Sequence, residues 1–224
     1  TIHNARAENI KTLTVLIDNN SSDESVDFAL RFMIKYKMEG IIIRYGRNLG
    51  FARAYNLASL ILYHMFKPKY FIFLNNDIVV EENYVSAMVH ALNNLNRKEN
   101  VWAGSGKILL MYYPDVIQYA GAMFSPIGGG LDKGLGDKDL KYNDEHIEYT
   151  GAPCGASMII LSDIFIRLGG FEEIFFAYFE DVDLENRRIW LRRREGVKYG
   201  PKAMKPEDEP KFVPLDDFVA ELFM

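Results

Sequence analysis

Short apolar runs separated by amphipathic helical patterns constrain the fold of this chain most strongly. Residues 14–18, 41–43 and 70–74 are rich in Val, Ile, Leu and Phe, as buried strands are. A helical pattern follows each run, and a further strand-like run lies at 101–104. Strands that alternate with helices are typical of a parallel sheet covered on both faces. We therefore predict an α/β fold with a mostly parallel central sheet flanked by helices.

The spacing of apolar residues predicts which sides of the first two helices are buried. The first helix should follow the capping side chains at 21–24 and end before Gly40. The second follows the run at 41–43, and a third is expected at 82–95. The predicted buried positions are Val26, Leu30, Met33, Ile34, Ala54, Ala58, Ile61, Leu62 and Met65.

The pattern changes after Gly106. Residues 108–124 have strand-like apolar spacing, and 125–144 are rich in Gly, Asp and Lys. A long loop of this kind in a compact domain is often a lid or a binding loop, so we expect a mobile loop here. Two shorter helices are predicted at 163–168 and 182–194, and the tail 201–224 should wrap the surface or be partly disordered.

Composition excludes several classes of function. The net charge of −5 argues against nucleic acid as a general partner, because phosphate binding requires a basic face. The single cysteine rules out an intramolecular disulfide and suits a reducing compartment, so we expect a cytoplasmic protein. No uninterrupted apolar run approaches the roughly 20 residues that a membrane-spanning helix needs.

Polar residues follow each of the first three apolar runs. Asp18 ends the first run, Asn48 comes soon after the second, and Asn75, Asn76 and Asp77 follow the third. Ligands of a parallel sheet bind at the carboxyl ends of its strands, where these residues would converge. Each alone is equally typical of a turn. Together they predict a binding crevice.

These residue types suit a phosphorylated ligand. Asp18 could accept hydrogen bonds from a base or a ribose, or could simply form a turn. Asn48 and Gly50 precede a helix whose first backbone N–H groups could face an anion. Arg53, one turn into that helix, could reach a diphosphate or lie on the surface. Asp77 is a hard oxygen donor, and Mg²⁺ or Mn²⁺ typically uses one or two carboxylates plus phosphates.

Two adjacent carboxylates, Glu180 and Asp181, follow an aromatic run at 175–179. Aromatic side chains tend to be buried, so this run should form an apolar wall that raises a carboxylate pKa by desolvation. Such a shift would suit a catalytic base. The helix predicted to follow places the pair at its positive end, which opposes that shift. The alternative is that both residues only cap the helix.

Four segments, in order, resemble the motifs of the family-2 glycosyltransferases. They are 18–23 (nucleoside-binding strand end), 48–56 (Asn-x-Gly helix start), 73–81 (Asp-x-Asp motif) and 169–184 (acceptor and base segment). The resemblance covers about 14–201 and is nearest to rhamnosyltransferase-like enzymes that build surface polysaccharides. It implies a Rossmann-like, nucleotide-sugar-binding glycosyltransferase A-type fold.

The resemblance also implies roles for individual residues. Asp18 would contact the nucleoside, and Asn75 and Asp77 occupy the first and last positions of the Asp-x-Asp motif. Asp77 would bind the Mg²⁺ or Mn²⁺ that bridges the diphosphate. Asp181 would be the general base, and Glu180 would support it. The implied nucleotide-sugar-binding set is Asp18, Asn48, Gly50, Arg53, Asn75, Asn76 and Asp77.

The implied activity is transfer of a sugar, with inversion, from a nucleotide-diphosphate sugar to a saccharide or lipid-linked acceptor. Residues 1–200 would form one domain, with 1–106 binding the nucleotide and 107–200 the acceptor, followed by the tail 201–224. A lipid-linked acceptor would place the protein at the inner face of the membrane. The alternative function is a catalytically inactive relative that only binds nucleotide-sugars. For such an inactive relative, the Asn at position 75, where the family motif has Asp, would weaken the metal site.

Two segments remain outside this pattern. Residues 1–4 resemble the end of the family's first strand and 7–13 the start of its first helix, so we expect a missing segment near Leu13. The basic run at 187–194 is either a solvated helix face or a contact for a membrane surface.

Overall fold

The computed structural model describes residues 2–124, 130–141, 147–184, 187 and 211–213. In chain order its elements are α1 (Ile2–Ala7), β1 (Thr14–Asp18), α2 (Ser25–Lys35), β2 (Gly40–Arg44), α3 (Phe51–Phe66), β3 (Tyr70–Leu74), α4 (Tyr84–Glu99), β4 (Ala103–Ser105), β5 (Ile108–Leu110), β6 (Tyr113–Tyr119), β7 (Ala122–Phe124), β8 (Gly130–Asp132), a 3₁₀ turn (Asp139–Lys141), β9 (Ser157–Leu161), α5 (Ser162–Leu168) and β10 (Lys211–Val213).

The first three strands and the helices between them form as the sequence predicts. β1 and β2 pair in parallel, with Thr14 opposite Gly40 and Asp18 opposite Arg44. α2 connects them and buries Val26, Leu30 and Met33. In α3, Ala54, Ala58 and Leu62 are buried, but Met65 at its end is 60% exposed, against the prediction.

The prediction of a mostly parallel sheet is wrong. Among the described strands only β1 and β2 pair in parallel, while β9 lies between β3 and β4 and is antiparallel to both. β3 and β4 therefore run in the same direction, as a strand–helix–strand unit should, but they are not hydrogen-bonded to each other because β9 lies between them. β9 takes the central position because its residues are almost wholly apolar and buried.

The remaining strand pairs are antiparallel. β5 pairs with β6 and β7 with β8, while β10 extends the first sheet along the free side of β2. β8 and the 3₁₀ turn lie inside the stretch 125–144 for which a loop is predicted, so part of that stretch is regular. Residues 125–129 and 142–146 lie outside the described part of the chain.

An aromatic core joins the second sheet to the carboxylate-bearing segment. Phe73, Phe165 and Phe171 pack with ring centroids 5.0–5.4 Å apart. Phe171 and Leu184 are 1% and 0% exposed and belong to the same cluster. The core therefore anchors the chain on both sides of Glu180 and Asp181.

Two predictions about the ends of the chain are tested in part. The helix near the N-terminus is Ile2–Ala7, whereas a strand end was expected at 1–4 and a helix start at 7–13. Residues 180–184 and 187 are helical, but 188–194 and most of the tail lie outside the described residues. Within the described part, no helix is long and apolar enough to cross a membrane.

Candidate active site

Asp18, at the end of β1, is buried and already has two partners. Its Oδ1 accepts a hydrogen bond from the Ser21 N–H at 3.0 Å, and its Oδ2 pairs with Arg44 Nε at 3.0 Å. Arg44 lies opposite Asp18 in the β1–β2 register, which explains the pair. The carboxylate is held rigidly, with its side chain 2% exposed.

Asn19 and Asn48 join the end of β1 to the start of α3. Asn19 Nδ2 donates to Asn48 Oδ1 at 2.9 Å and to the Gly50 carbonyl at 3.1 Å. The Leu49 N–H donates back to Asn19 Oδ1 at 2.8 Å. Asn19 is a residue of this hydrogen-bond network that the sequence analysis did not single out, since an Asn in a polar turn carries no distinguishing pattern.

The start of α3 is covered by the aromatic run. Asn48 Oδ1 accepts from the Gly50 N–H at 2.9 Å, and the Phe176 carbonyl accepts from the Phe51 N–H at 2.9 Å. Gly50 has φ +78°, and a Cβ there would lie 2.7 Å from the Phe176 ring. In this conformation these two N–H groups face protein acceptors, so an anion would have to displace them.

Two side chains of α3 bind the segment that precedes the carboxylates. Asn56 is buried and forms a bidentate pair with Phe171, accepting from its N–H and donating to its carbonyl, both at 2.8 Å. Arg53 Nη1 pairs with Glu173 Oε2 at 3.1 Å. A diphosphate role for Arg53 therefore requires that this ion pair opens or is shared.

Asn75, Asn76 and Asp77 form the turn after β3. The Asn75 N–H donates to the Ala156 carbonyl at 3.0 Å, which ties this turn to the loop before β9. The side chains of Asn76 and Asp77 are exposed. Within the described residues no group of three His, Cys, Asp or Glu could hold a metal ion. Asp77 therefore fits only a cation that also takes oxygens from a diphosphate and water.

Asp181 is oriented by two backbone N–H groups. Its Oδ2 accepts from Gly155 and its Oδ1 from Val182, both at 2.8 Å. The Val182 bond joins Asp181 to the residue directly after it, whereas a capping side chain accepts from an N–H two or three residues on, so this bond is not the one that the capping interpretation expects. The Gly155 bond crosses to the loop before β9, where the carbonyl of the next residue, Ala156, accepts from the Asn75 N–H. Asp181 and the turn that carries Asp77 thus both bond to this loop, at neighbouring residues.

Glu180 has a different environment. It is 6% exposed, and its Oε2 has no hydrogen-bond partner among the described residues. Burial raises the pKa of the Glu180 carboxyl, and the charge of Asp181 adds to the rise. Hydrogen bonds from the backbone of Glu180 and of Tyr178 oppose it.

The aromatic run does not form the buried wall that the sequence predicts. Phe176, Tyr178 and Phe179 are 62%, 80% and 56% exposed. Tyr178 and Phe179 also have φ values of +73° and +67°, a conformation that costs non-glycine residues about 1–3 kcal/mol each. The backbone of the run is fixed at one end by the Phe51–Phe176 hydrogen bond and at the other by the buried Glu180. These backbone constraints leave the rings in solvent although the residues are hydrophobic.

Residues from other elements surround the carboxylate pair. Partial burial and the charge of Asp181 raise the pKa of Asp132 in β8, whose side chain still reaches solvent. Burial raises the pKa of the Cys154 thiol to about 11, and the Asp181, Asp132 and Glu180 charges contribute. Sequence analysis missed Asp132, because one Asp in a Gly- and Lys-rich stretch carries no signal of its own.

Comparison with known proteins finds a similarity in the N-terminal part of the chain. Residues 1–108 match the family model described as "Glycosyl transferase family 2", a region that contains Asp18, Asn48, Gly50, Arg53 and Asn75–Asp77 but neither Glu180 nor Asp181. No curated protein matches the chain significantly.

A similar solved structure covers nearly the whole chain. It is the crystal structure of GalNAc-T7 with UDP, GalNAc and Mn²⁺, at a TM-score of 0.60 and 17% sequence identity. The match covers 93% of this chain and 41% of that one, so this chain spans about two-fifths of its length. The chain therefore has a glycosyltransferase A-type α/β fold, and its first 108 residues are similar to the family-2 model.

Proposed function

We propose that this protein transfers a sugar from a nucleotide-diphosphate sugar to an acceptor hydroxyl, with inversion at the anomeric carbon. The observation that carries the proposal is the bracing of the segment 171–181 between the start of α3 and the loop before β9. The bracing leaves Asp181 bonded to Gly155 and the turn that bears Asp77 bonded to Ala156, the next residue of the same loop. The proposed base and the proposed ligand for the donor diphosphate are therefore linked through that loop.

Each group then has a defined task. Asp181, oriented by the Gly155 and Val182 N–H groups, accepts the proton of the acceptor hydroxyl as that oxygen attacks. Asp77, helped by the oxygens of Asn75 and Asn76, would hold Mg²⁺ or Mn²⁺. When bound, this cation would neutralise the charge that builds up on the leaving diphosphate. Asp18, held by Arg44 and the Ser21 N–H, would contact the nucleoside through the acceptor sites that these two bonds leave.

The finer features of the proposal follow from the resemblance. Residues 1–106 would bind the donor, 107–200 the acceptor, and 201–224 would form a separate tail. The sugar would be a hexose or a rhamnose, and the product a surface polysaccharide. GalNAc-T7 was solved with UDP and Mn²⁺, which makes this nucleotide and this ion the first ligands to test.

The first experiment measures transfer by Asp181→Asn. The variant keeps the shape of the side chain but cannot take the proton, so we expect transfer to fall about 10²-fold or more while nucleotide binding is retained. Donor candidates come from a thermal-shift panel of UDP, GDP, dTDP and CDP with Mn²⁺. Asp163→Asn, in the first turn of α5, is the matched control. Near-normal turnover by Asp181→Asn would refute its role as the base.

A catalytically inactive, nucleotide-sugar-binding relative is the second candidate. The observations that favour it are the partners already held by Asp18, Gly50 and Arg53, and an Asn at position 75. It predicts a nucleotide-dependent thermal shift without transfer or donor hydrolysis by the wild-type protein. Measurable turnover that Asp181→Asn abolishes would exclude it.

A further inference from the structure

One side of α2 carries a row of aromatic side chains that the fold leaves in solvent. Phe28, Phe32 and Tyr36 follow one another at four-residue spacing and are 66%, 46% and 45% exposed. Their rings touch in sequence, with centroids 6.4 Å and 4.5 Å apart. The opposite side of α2 packs in the core, so these rings are not needed to attach the helix. Exposed apolar patches of this kind commonly mark interaction sites.

A basic row runs beside the aromatic one. Arg31 and Lys35 each precede an aromatic residue by one position, and both are exposed. The Lys35 ammonium lies 5.3 Å from the centroid of the Tyr36 ring. Asp27, the acid of α2, lies in the first turn, four residues before Arg31; after it the helix carries Arg31 and Lys35 and no further acid.

We propose that the α2 outer face, formed by Phe28, Arg31, Phe32, Lys35 and Tyr36, binds an anionic lipid surface. Aromatic rings suit the boundary between headgroups and acyl chains, and Lys and Arg are attracted to anionic headgroups. The contact is peripheral, because no described helix is long and apolar enough to cross a bilayer.

Charge favours this occupant over a second copy of the chain. A symmetric dimer formed by this face would bring the cations Arg31 and Lys35 of both copies into one interface, with the single α2 acid, Asp27, from each copy. Like charges so placed repel, whereas anionic headgroups are complementary to both. The proposal does not depend on the proposed transferase activity, since it uses none of the site residues.

The first test compares charge variants in vesicle co-sedimentation. The probes are vesicles of phosphatidylcholine with about 30% phosphatidylserine and vesicles of phosphatidylcholine alone. We expect the wild type to bind the anionic vesicles more tightly than the neutral ones. The double variant Arg31→Gln, Lys35→Gln should bind the anionic vesicles with an affinity reduced about 10-fold or more. The matched control, Arg97→Gln with Lys98→Gln, removes the same charge from the last turn of α4 and should bind within about 2-fold of wild type.

The second test removes aromatic surface without changing charge. Phe28→Gln with Phe32→Gln should also weaken binding about 10-fold, whereas Phe66→Gln with Tyr112→Gln removes two exposed rings elsewhere and should not. All four positions are exposed, and unchanged circular dichroism verifies folding. The proposal is overturned if the wild type ignores anionic vesicles, or if the α2 variants bind like their controls. It is equally overturned if light scattering shows that the face only mediates self-association.

Discussion

At the scale of single residues, the two adjacent carboxylates of the candidate site have different surroundings. Asp181 has a backbone N–H donor on each oxygen, which sets its orientation. Glu180 is buried with one oxygen unpartnered, and burial raises its pKa. Divergent environments for neighbouring acids are typical of sites that use one of them for proton transfer. This difference makes Glu180 a source of pH-dependent stability.

We predict that Glu180→Gln raises the melting temperature at about pH 7 and leaves it nearly unchanged at about pH 4. A group whose pKa is raised by folding stabilises the protein while it is protonated, and this stability is lost as pH rises through the folded pKa. Glutamine stays neutral and avoids that loss. Calorimetry at both pH values measures the effect, with exposed Glu81→Gln as the control. A lower melting temperature for Glu180→Gln at neutral pH would contradict the prediction.

At the scale of elements, the decisive feature is how the segment 171–181 is fastened. Asn56 binds its first residue, Phe171, and the Phe51 N–H at the start of α3 binds Phe176. The strained backbone at Tyr178 and Phe179 then turns the chain into the helical residues that carry Asp181. The start of α3 therefore helps to position the two carboxylates, because it holds the segment that carries them.

We predict that Gly50→Ala destabilises the protein by about 1–3 kcal/mol and weakens transfer. An alanine there must adopt a positive φ, and its Cβ would overlap the Phe176 ring. The control is Gly46→Ala, where no atom lies within 4 Å of the new Cβ. Urea unfolding and activity assays measure both effects. Equal stability of the two variants would show that the contact with Phe176 is not important.

The helices and strands of the first half were predictable because their signals are local. Val26, Leu30 and Met33 mark the buried side of α2 by spacing alone, and β1 to β3 are short apolar runs. Sheet order was not predictable. The residues of β9 are as apolar as those of a parallel strand, and nothing in their pattern indicates insertion between β3 and β4.

At the scale of the whole molecule, the site combines two regions of the chain. The family-2 match ends at residue 108, and the residues proposed for the donor lie before that point. Glu180 and Asp181 lie beyond it, and so does Gly155, which orients Asp181. The two regions meet where the Asn75 N–H bonds the Ala156 carbonyl. The residues proposed for the donor and for the base are therefore linked by contacts between segments that are distant in sequence.

We predict that UDP and Mn²⁺ together raise the melting temperature by more than the sum of their separate effects. Asp77 alone is a weak metal site, so the ion should bind tightly only when the diphosphate supplies further oxygens. Asp77→Asn should remove most of this synergy, while Asp115→Asn, exposed in β6, should keep it. If both variants retain the synergy, the cation is held elsewhere. If another nucleotide replaces UDP in the panel, the same comparison applies to it.

The sequence by itself determined the α/β class, the first three strands, the helices between them and the polar residues at their ends. These features depend on periodicity and turn chemistry among near neighbours. The tertiary structure alone decided the antiparallel place of β9, the exposure of Phe176 and Tyr178, and the approach of Asp132 and Gly155 to Asp181. These features depend on contacts between distant segments, where backbone hydrogen bonds and burial of the Phe171 and Leu184 anchors outweigh the hydrophobicity of single residues.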